Sequence, residues 1–308
     1  MTWHYSLPWP AGNVLEMASL RPPSKRAADN GKADHPSERL DASKAHWAHE
    51  LGARYARLVP YMAVTLAAYA WTFPIDRAGD PEDWSWAFIP LARNMILLNA
   101  MYASWHFLLY QSPWSADGRL DEKKFNEKNQ YAPGNRHLKR EIFYCNCGFI
   151  MSTAYEVVMM RLWAIGAVPR MVRFWSAPAW SVLHLLAVAY WRDFHFYFAH
   201  RLMHPWFGGY KEWGDRFIWL KPFVKRFDAG AFLYRHVHSL HHKSHNPGPW
   251  SGLSMHPGEH LVYYTCTLLP LLFTLHPIHF LFNKFHADIS PLPGHDGYDK
   301  PGGGSYFQ

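Results

Sequence analysis

Two tight groups of histidine, His200-Arg-Leu-Met-His204 and His238-Ser-Leu-His241-His242, constrain this 308-residue chain more than any other feature. Fourteen of its 21 histidines lie from His195 onward. Neutral imidazole is a common ligand of iron, zinc and copper, so such crowding suggests a metal centre assembled from separate segments of backbone. On a helix, residues four apart share a face. His200 and His204 can then bind one metal while His238, with His241 or His242, binds one or two more. A polynuclear site is the expectation. An HxxxH pair arises readily by chance in so histidine-rich a chain, whereas HxxHH is rarer, so the second group is the more specific. Surface or helix-capping histidines are the competing reading.

The apolar residues are bunched. Stretches at Leu58–Phe73, Trp86–Tyr110, Ile142–Val168, Phe174–Tyr190 and Leu261–Phe282 alternate with basic and aromatic segments. The first ends at Pro74, the second holds Arg93, Asn94 and His106, and the fourth is interrupted by Pro178. The fifth, with its TLLPLLFTL run, is the clearest. This pattern fits a polytopic membrane protein with interfacial Trp, Tyr and basic anchors, in which polar residues inside a span turn toward protein partners. A soluble all-helical enzyme with long buried helices is the alternative. In a membrane protein the basic segments Lys123–Lys128, Arg136–Arg140 and Lys211–Arg226 face the cytosol.

Arg21–Ser43 is polar, charged and short of large apolar groups, which predicts disorder within residues 1–50. The opening MTWHYSLPWP lacks the basic start and apolar core of a secretory signal. A net charge of +7 raises nucleic acid as a partner, but the basic residues are scattered and no nucleic-acid-binding motif accompanies them. An anionic membrane surface is the better use for them. Three cysteines, Cys145, Cys147 and Cys266, cannot form a disulfide framework, and helix packing is their expected role. No ExxH, GxGxxG or GxSxG occurs. Their absence removes the carboxylate-bridged di-iron bundle, a dinucleotide fold within the chain and the simplest serine hydrolase. His256-Pro-Gly-Glu259-His260 matches the HxxEH zinc-peptidase pattern, but Pro257-Gly258 opposes the continuous helix that chemistry needs.

The order HRxxH (His200–His204), HxxHH (His238–His242), SMHPxE (Ser254–Glu259) and HDGYD (His295–Asp299) resembles the fatty acid hydroxylase superfamily, which includes sterol desaturases and sterol methyl oxidases. The likeness covers about Trp191–Tyr306, with a fainter echo at Asn129–Glu141. The resemblance implies an all-α polytopic membrane bundle with a cytosolic, helical, histidine-rich metal-binding cap. Residues 1–50 would precede a membrane-embedded hydroxylase-like domain at 51–308. It implies two non-haem irons, with zinc as a possible substitute, and O2-dependent hydroxylation or desaturation of a sterol or fatty acyl C–H bond. Electrons would come from cytochrome b5 and its reductase, and the protein would reside in the endoplasmic reticulum with its histidine boxes facing the cytosol.

Carried over by position, the resemblance makes His200, His204, His238, His241 and His242 metal ligands, with His286 and His295 completing the set. Asp193, Glu259 and Asp296 are candidates to orient imidazoles, and His195 to ligate or line the site. The family pattern has a further HxxHH after HDGYD, about where this sequence ends at Ser305-Tyr-Phe-Gln308. The expectation is therefore a fragment or splice product, or a catalytically impaired or structural homologue lacking the full di-metal site. A zinc peptidase acting through His256, Glu259 and His260 is the remaining alternative.

Overall fold

The computed structural model describes residues 52, 55, 56, 58–113, 137–206, 228–245 and 247–298. The segment 1–50, the basic stretches 123–128 and 211–226, and residues from 299 onward lie outside these. Among the described residues every regular element is helical, and the strand-like feature is an isolated bridge between Arg170 and Leu275.

Proline sets several helix starts. Helix α1 (Val59–Thr72) carries Pro60 in its first turn, where a missing N–H costs nothing, and stops short of Pro74. Helices α2 (Phe88–Tyr110) and α3 (His137–Ala164) follow and pack together. Helix α4 (Pro178–Leu202) opens on Pro178, so the residue that interrupts the fourth apolar stretch in the sequence is a helix start. As a result α4 runs unbroken from apolar residues into the first histidine box.

The fifth apolar stretch behaves differently from the single span its composition suggests. It is divided among α6 (Pro257–Tyr264), a 3-10 helix (Thr265–Leu271) containing Pro270, and α7 (Pro277–Ile289). The break has a local cause. His276 caps α7 through its side chain, His279 bonds back to the His276 N–H, and Pro277 occupies the first turn. One described helix, α3, is long and apolar enough to cross a membrane.

Helix α7 is the centre of the bundle, packed on α1, α4 and α3, with every residue buried except Ile278 and His286. It buries charge as well as apolar surface. Lys284 Nζ donates to Asp288 Oδ2 at 2.9 Å and lies 3.5 Å from Glu156 Oε2 on α3. Arg93 on α2 pairs with the same glutamate, Asn94 donates to it at 3.2 Å, and Ser152 and Tyr264 donate to Asp288 at 2.9 and 2.8 Å. Arg93 and Asn94 thus turn inward, as polar residues of an apolar helix must. Two cations facing two carboxylates leave the cluster neutral, which is what makes its burial tolerable.

Removing one member strands its partners in a medium that cannot solvate them. Lys284→Met is expected to lower unfolding stability by about 3–5 kcal/mol, read from denaturant titration in detergent. A change below about 1 kcal/mol, the usual worth of an exposed pair, would show that the cluster is effectively solvated.

Candidate metal centre

The first box straddles the end of α4. His200 lies in its last turn and His204 just beyond, after Met203 has capped the helix. Asp228 then accepts hydrogen bonds from the N–H of Trp206 (3.2 Å) and of Ala231 (2.9 Å), capping helix α5 (Ala229–His236) while tying it to the chain leaving α4. Gly230 makes the approach possible, because a Cβ there would overlap the His204 carbonyl oxygen and the Trp206 ring. Helix α5 leads into a 3-10 helix, His238–Lys243, that carries the second box. Its far end is anchored on α3, where Glu141 Oε1 accepts from Ser244 (2.7 Å) and Ser251 (3.2 Å).

The result is a convergence of four imidazoles. His204 Nε2 lies 2.9 Å from His200 Nε2, 3.1 Å from His238 Nε2 and 3.3 Å from His242 Nε2, while His238 and His242 are 3.0 Å apart. A ring nitrogen offers one proton or one lone pair, so His204 Nε2 cannot hydrogen-bond to three others at once. A shared cation satisfies all of them. With metal–nitrogen bonds of about 2.0–2.1 Å, neighbouring ligand nitrogens stand about 2.8–3.0 Å apart at right angles and about 3.3–3.4 Å apart in a tetrahedron. The observed separations fall in this range, and one ligand atom from each of the four histidines lies within 4.8 Å of every other.

The surroundings favour the ligand form. Burial, helped by the neighbouring imidazoles, brings the pKa of His204 down to about 3 and that of His242 to about 4, and holds His200 far below its usual value. Burial alone brings His238 to about 4. All four therefore stay neutral at physiological pH, with lone pairs free for a metal. His238 Nδ1 lies 2.8 Å from Oε1 of Glu259, the acid of the SMHPxE segment. Burial raises the pKa of Glu259, and as an ionised acceptor beside a bound cation it would hold the proton on Nδ1 while Nε2 points into the cluster. The Tyr234 ring packs against His204, His238 and His242, with centroids 5.3, 6.0 and 5.7 Å away.

The other expected residues are distributed around this centre. His241 is not among the four converging ligands but borders them, its ring centroid 5.8 Å from each of His238, His242 and His295, and burial holds its pKa well below the usual value. The HDGYD turn sets His295 there. Asp296 Oδ1 accepts from Tyr298 N–H, Tyr298 and Tyr110 bond across between this turn and α2, and Gly297 takes φ 84° where a Cβ would strike the Tyr110 hydroxyl. Asp296 thus braces a turn, with Trp105 Nε1 as a further contact at 3.4 Å. His286 packs edge-on against Tyr61 on α1, at 5.0 Å. His195 bonds to Thr265 (2.8 Å), and Asp193, His236 and His245 are exposed.

The peptidase geometry is not formed. His256 caps α6 by accepting from Gly258 N–H, His260 turns to the Tyr144 carbonyl beside Gly148, and Glu259 serves His238. Pro257 at the helix start puts the two histidines on different sides of the boundary, as its stiffness requires. The cysteines pack: Cys145 donates to the Trp250 carbonyl and Cys266 accepts from Arg192. Sequence reasoning did not reach Asp228, Gly230 or Tyr234. Asp-Ala-Gly before a helical run is a legible capping signal, but the partner at Trp206 is not written locally.

Gly230→Ala is expected to push α5 from the end of α4 and abolish metal retention, measured by metal analysis of purified protein. Full retention would show that the two boxes are held together by something else. A family model described as fatty acid hydroxylase matches residues 185–307, and no solved structure matches the chain. Those residues contain all four converging histidines, the acid behind His238 and the HDGYD turn, so the stretch 185–307 is similar to a fatty acid hydroxylase domain.

Proposed function

We propose that this protein is a membrane-bound non-haem iron oxygenase that hydroxylates or desaturates a C–H bond of a sterol or fatty acyl lipid, using O2. The observation that carries the reading is the meeting of four Nε2 atoms at one point, in a domain of this family. Iron bound there would supply the activation of dioxygen needed to attack an unactivated C–H bond.

The chain's own residues have definable parts in this. His200, His204, His238 and His242 hold the ion, Glu259 fixes the tautomer and aim of His238, and Tyr234 covers one side and excludes water. His241 and His295, side by side next to the cluster, are the candidates for a second iron position. Because no dinucleotide-binding motif occurs in the chain, an external carrier such as cytochrome b5 with its reductase would deliver the electrons.

A polytopic membrane placement, in the endoplasmic reticulum with the histidines facing the cytosol, goes with this reading. Exposed large apolar side chains support it: Phe143, Ile150, Val158 and Ile165 recur along and just past α3, and Leu183, Leu186, Tyr190, Phe194 and Tyr197 form a stripe along α4. A catalytically impaired homologue is the second reading, favoured by the gathering of four described histidines into one group rather than two.

Purified in detergent, the protein is expected to retain iron, and His238→Ala to lose it together with the oxygenated lipid product seen by mass spectrometry. Retained iron without any product would favour the impaired homologue. Glu259→Ala should weaken metal affinity about 10- to 100-fold, read by competition with a chelating dye. Unchanged affinity would remove Glu259 from the site.

A further inference from the structure

A run of aromatic rings leads from the histidine cluster into the bundle. Phe196 stands 5.4 Å from His200 between centroids, Tyr263 is 6.2 Å beyond Phe196, and Tyr264 is 5.0 Å from Tyr263. Tyr155 follows at 6.2 Å, its phenol bonded to the Leu261 carbonyl at the surface.

The two central tyrosines are built for different tasks. Tyr263 donates to the Ala287 carbonyl (2.8 Å) and accepts from Arg192 (2.7 Å), whose guanidinium also lies 4.7 Å from the ring centroid. Taking an electron from it would put positive charge beside a buried cation, with only a carbonyl to receive the proton. Tyr264 is fully buried and donates at 2.8 Å to Asp288 Oδ1, a carboxylate whose Oδ2 accepts from Lys284 and Ser152 while Oδ1 faces the phenol. A phenol gives up an electron far more easily when its proton can pass at once to a base, and this contact lies within transfer reach.

We propose that Tyr264 and Asp288 form a proton-coupled redox relay, joined to the histidine site through Phe196 and Tyr263, which drains oxidising equivalents when no substrate consumes them. The relay rests on the iron-binding reading above. With hydrogen peroxide as oxidant, Tyr264 would supply one electron and ferrous iron held by the four histidines the other, and peroxide would take two protons from solvent and become two waters. The Tyr264 O–H bond would break as an O–H bond forms on Asp288, leaving a neutral tyrosyl radical, with Lys284 keeping Glu156 at 3.5 Å as its counter-charge until the proton returns. An external one-electron donor reaching Tyr155 then restores the phenol, and the proton returns from Asp288.

The test is freeze-quenched electron paramagnetic resonance of the full chain, loaded with ferrous iron and mixed with hydrogen peroxide, with iron content measured on the same samples. A radical signal that narrows when the protein is grown on ring-deuterated tyrosine, and that is lost in Tyr264→Phe at equal iron content, supports the relay. Where Tyr264→Phe does not fold, Phe196→Leu breaks the ring run instead and should cut the signal several-fold at equal iron. An iron-loaded protein with no tyrosyl signal, or one whose signal survives these substitutions, overturns the relay and leaves the metal site standing. Failure to bind iron overturns both.

Discussion

The fold depends on burying α7, a helix that carries a lysine and an aspartate into the middle of an apolar bundle. Those charges are admissible only because α2 and α3 bring Arg93 and Glu156 to the same place. Apolar packing alone would let helices slide or rotate with little change in buried area. A closed set of ion pairs and hydrogen bonds permits one register, because any displacement leaves a buried charge without a partner.

That register reaches the histidine cluster through short links. Tyr264 bonds to Asp288 and so fixes α6, and α6 carries Glu259, the partner of His238. Glu141 on α3 holds the loop after the second box, while Asp228 and Gly230 fasten α5 to the end of α4. His200 sits in the last turn of α4, His238 is held by Glu259 of α6, and the segments that carry His204 and His242 are tied down through Trp206 and Ser244. A site whose ligands must be aimed to within a fraction of an ångström requires such support.

Electrostatics and packing agree at the centre. Four imidazoles brought together and buried cannot all protonate, so the cluster offers neutral nitrogens over the physiological range. The same burial leaves His204 Nε2 with more neighbours than hydrogen bonding can use. A cation would resolve the conflict, and the fold already brings the nitrogens that could hold it together.

The histidine types and spacing, the helical class and the inward turn of Arg93 and Asn94 were legible in the sequence, because ligand chemistry and the burial of polar groups follow from residue type. So was Glu259 as a support for an imidazole. Other features were not. Pro178 reads as a break and is a helix start; Leu261–Phe282 reads as one span and is three elements, since a proline's effect depends on which side of it the helix lies. The 3-10 helix at His238–Lys243 decides that His242 joins the cluster while His241 faces His295, and periodicity cannot separate two adjacent histidines. The sequence by itself determined which atoms were available to a metal. Only the tertiary structure decided which of them meet, because convergence depends on contacts such as Gly230 against His204 that join residues far apart in the chain.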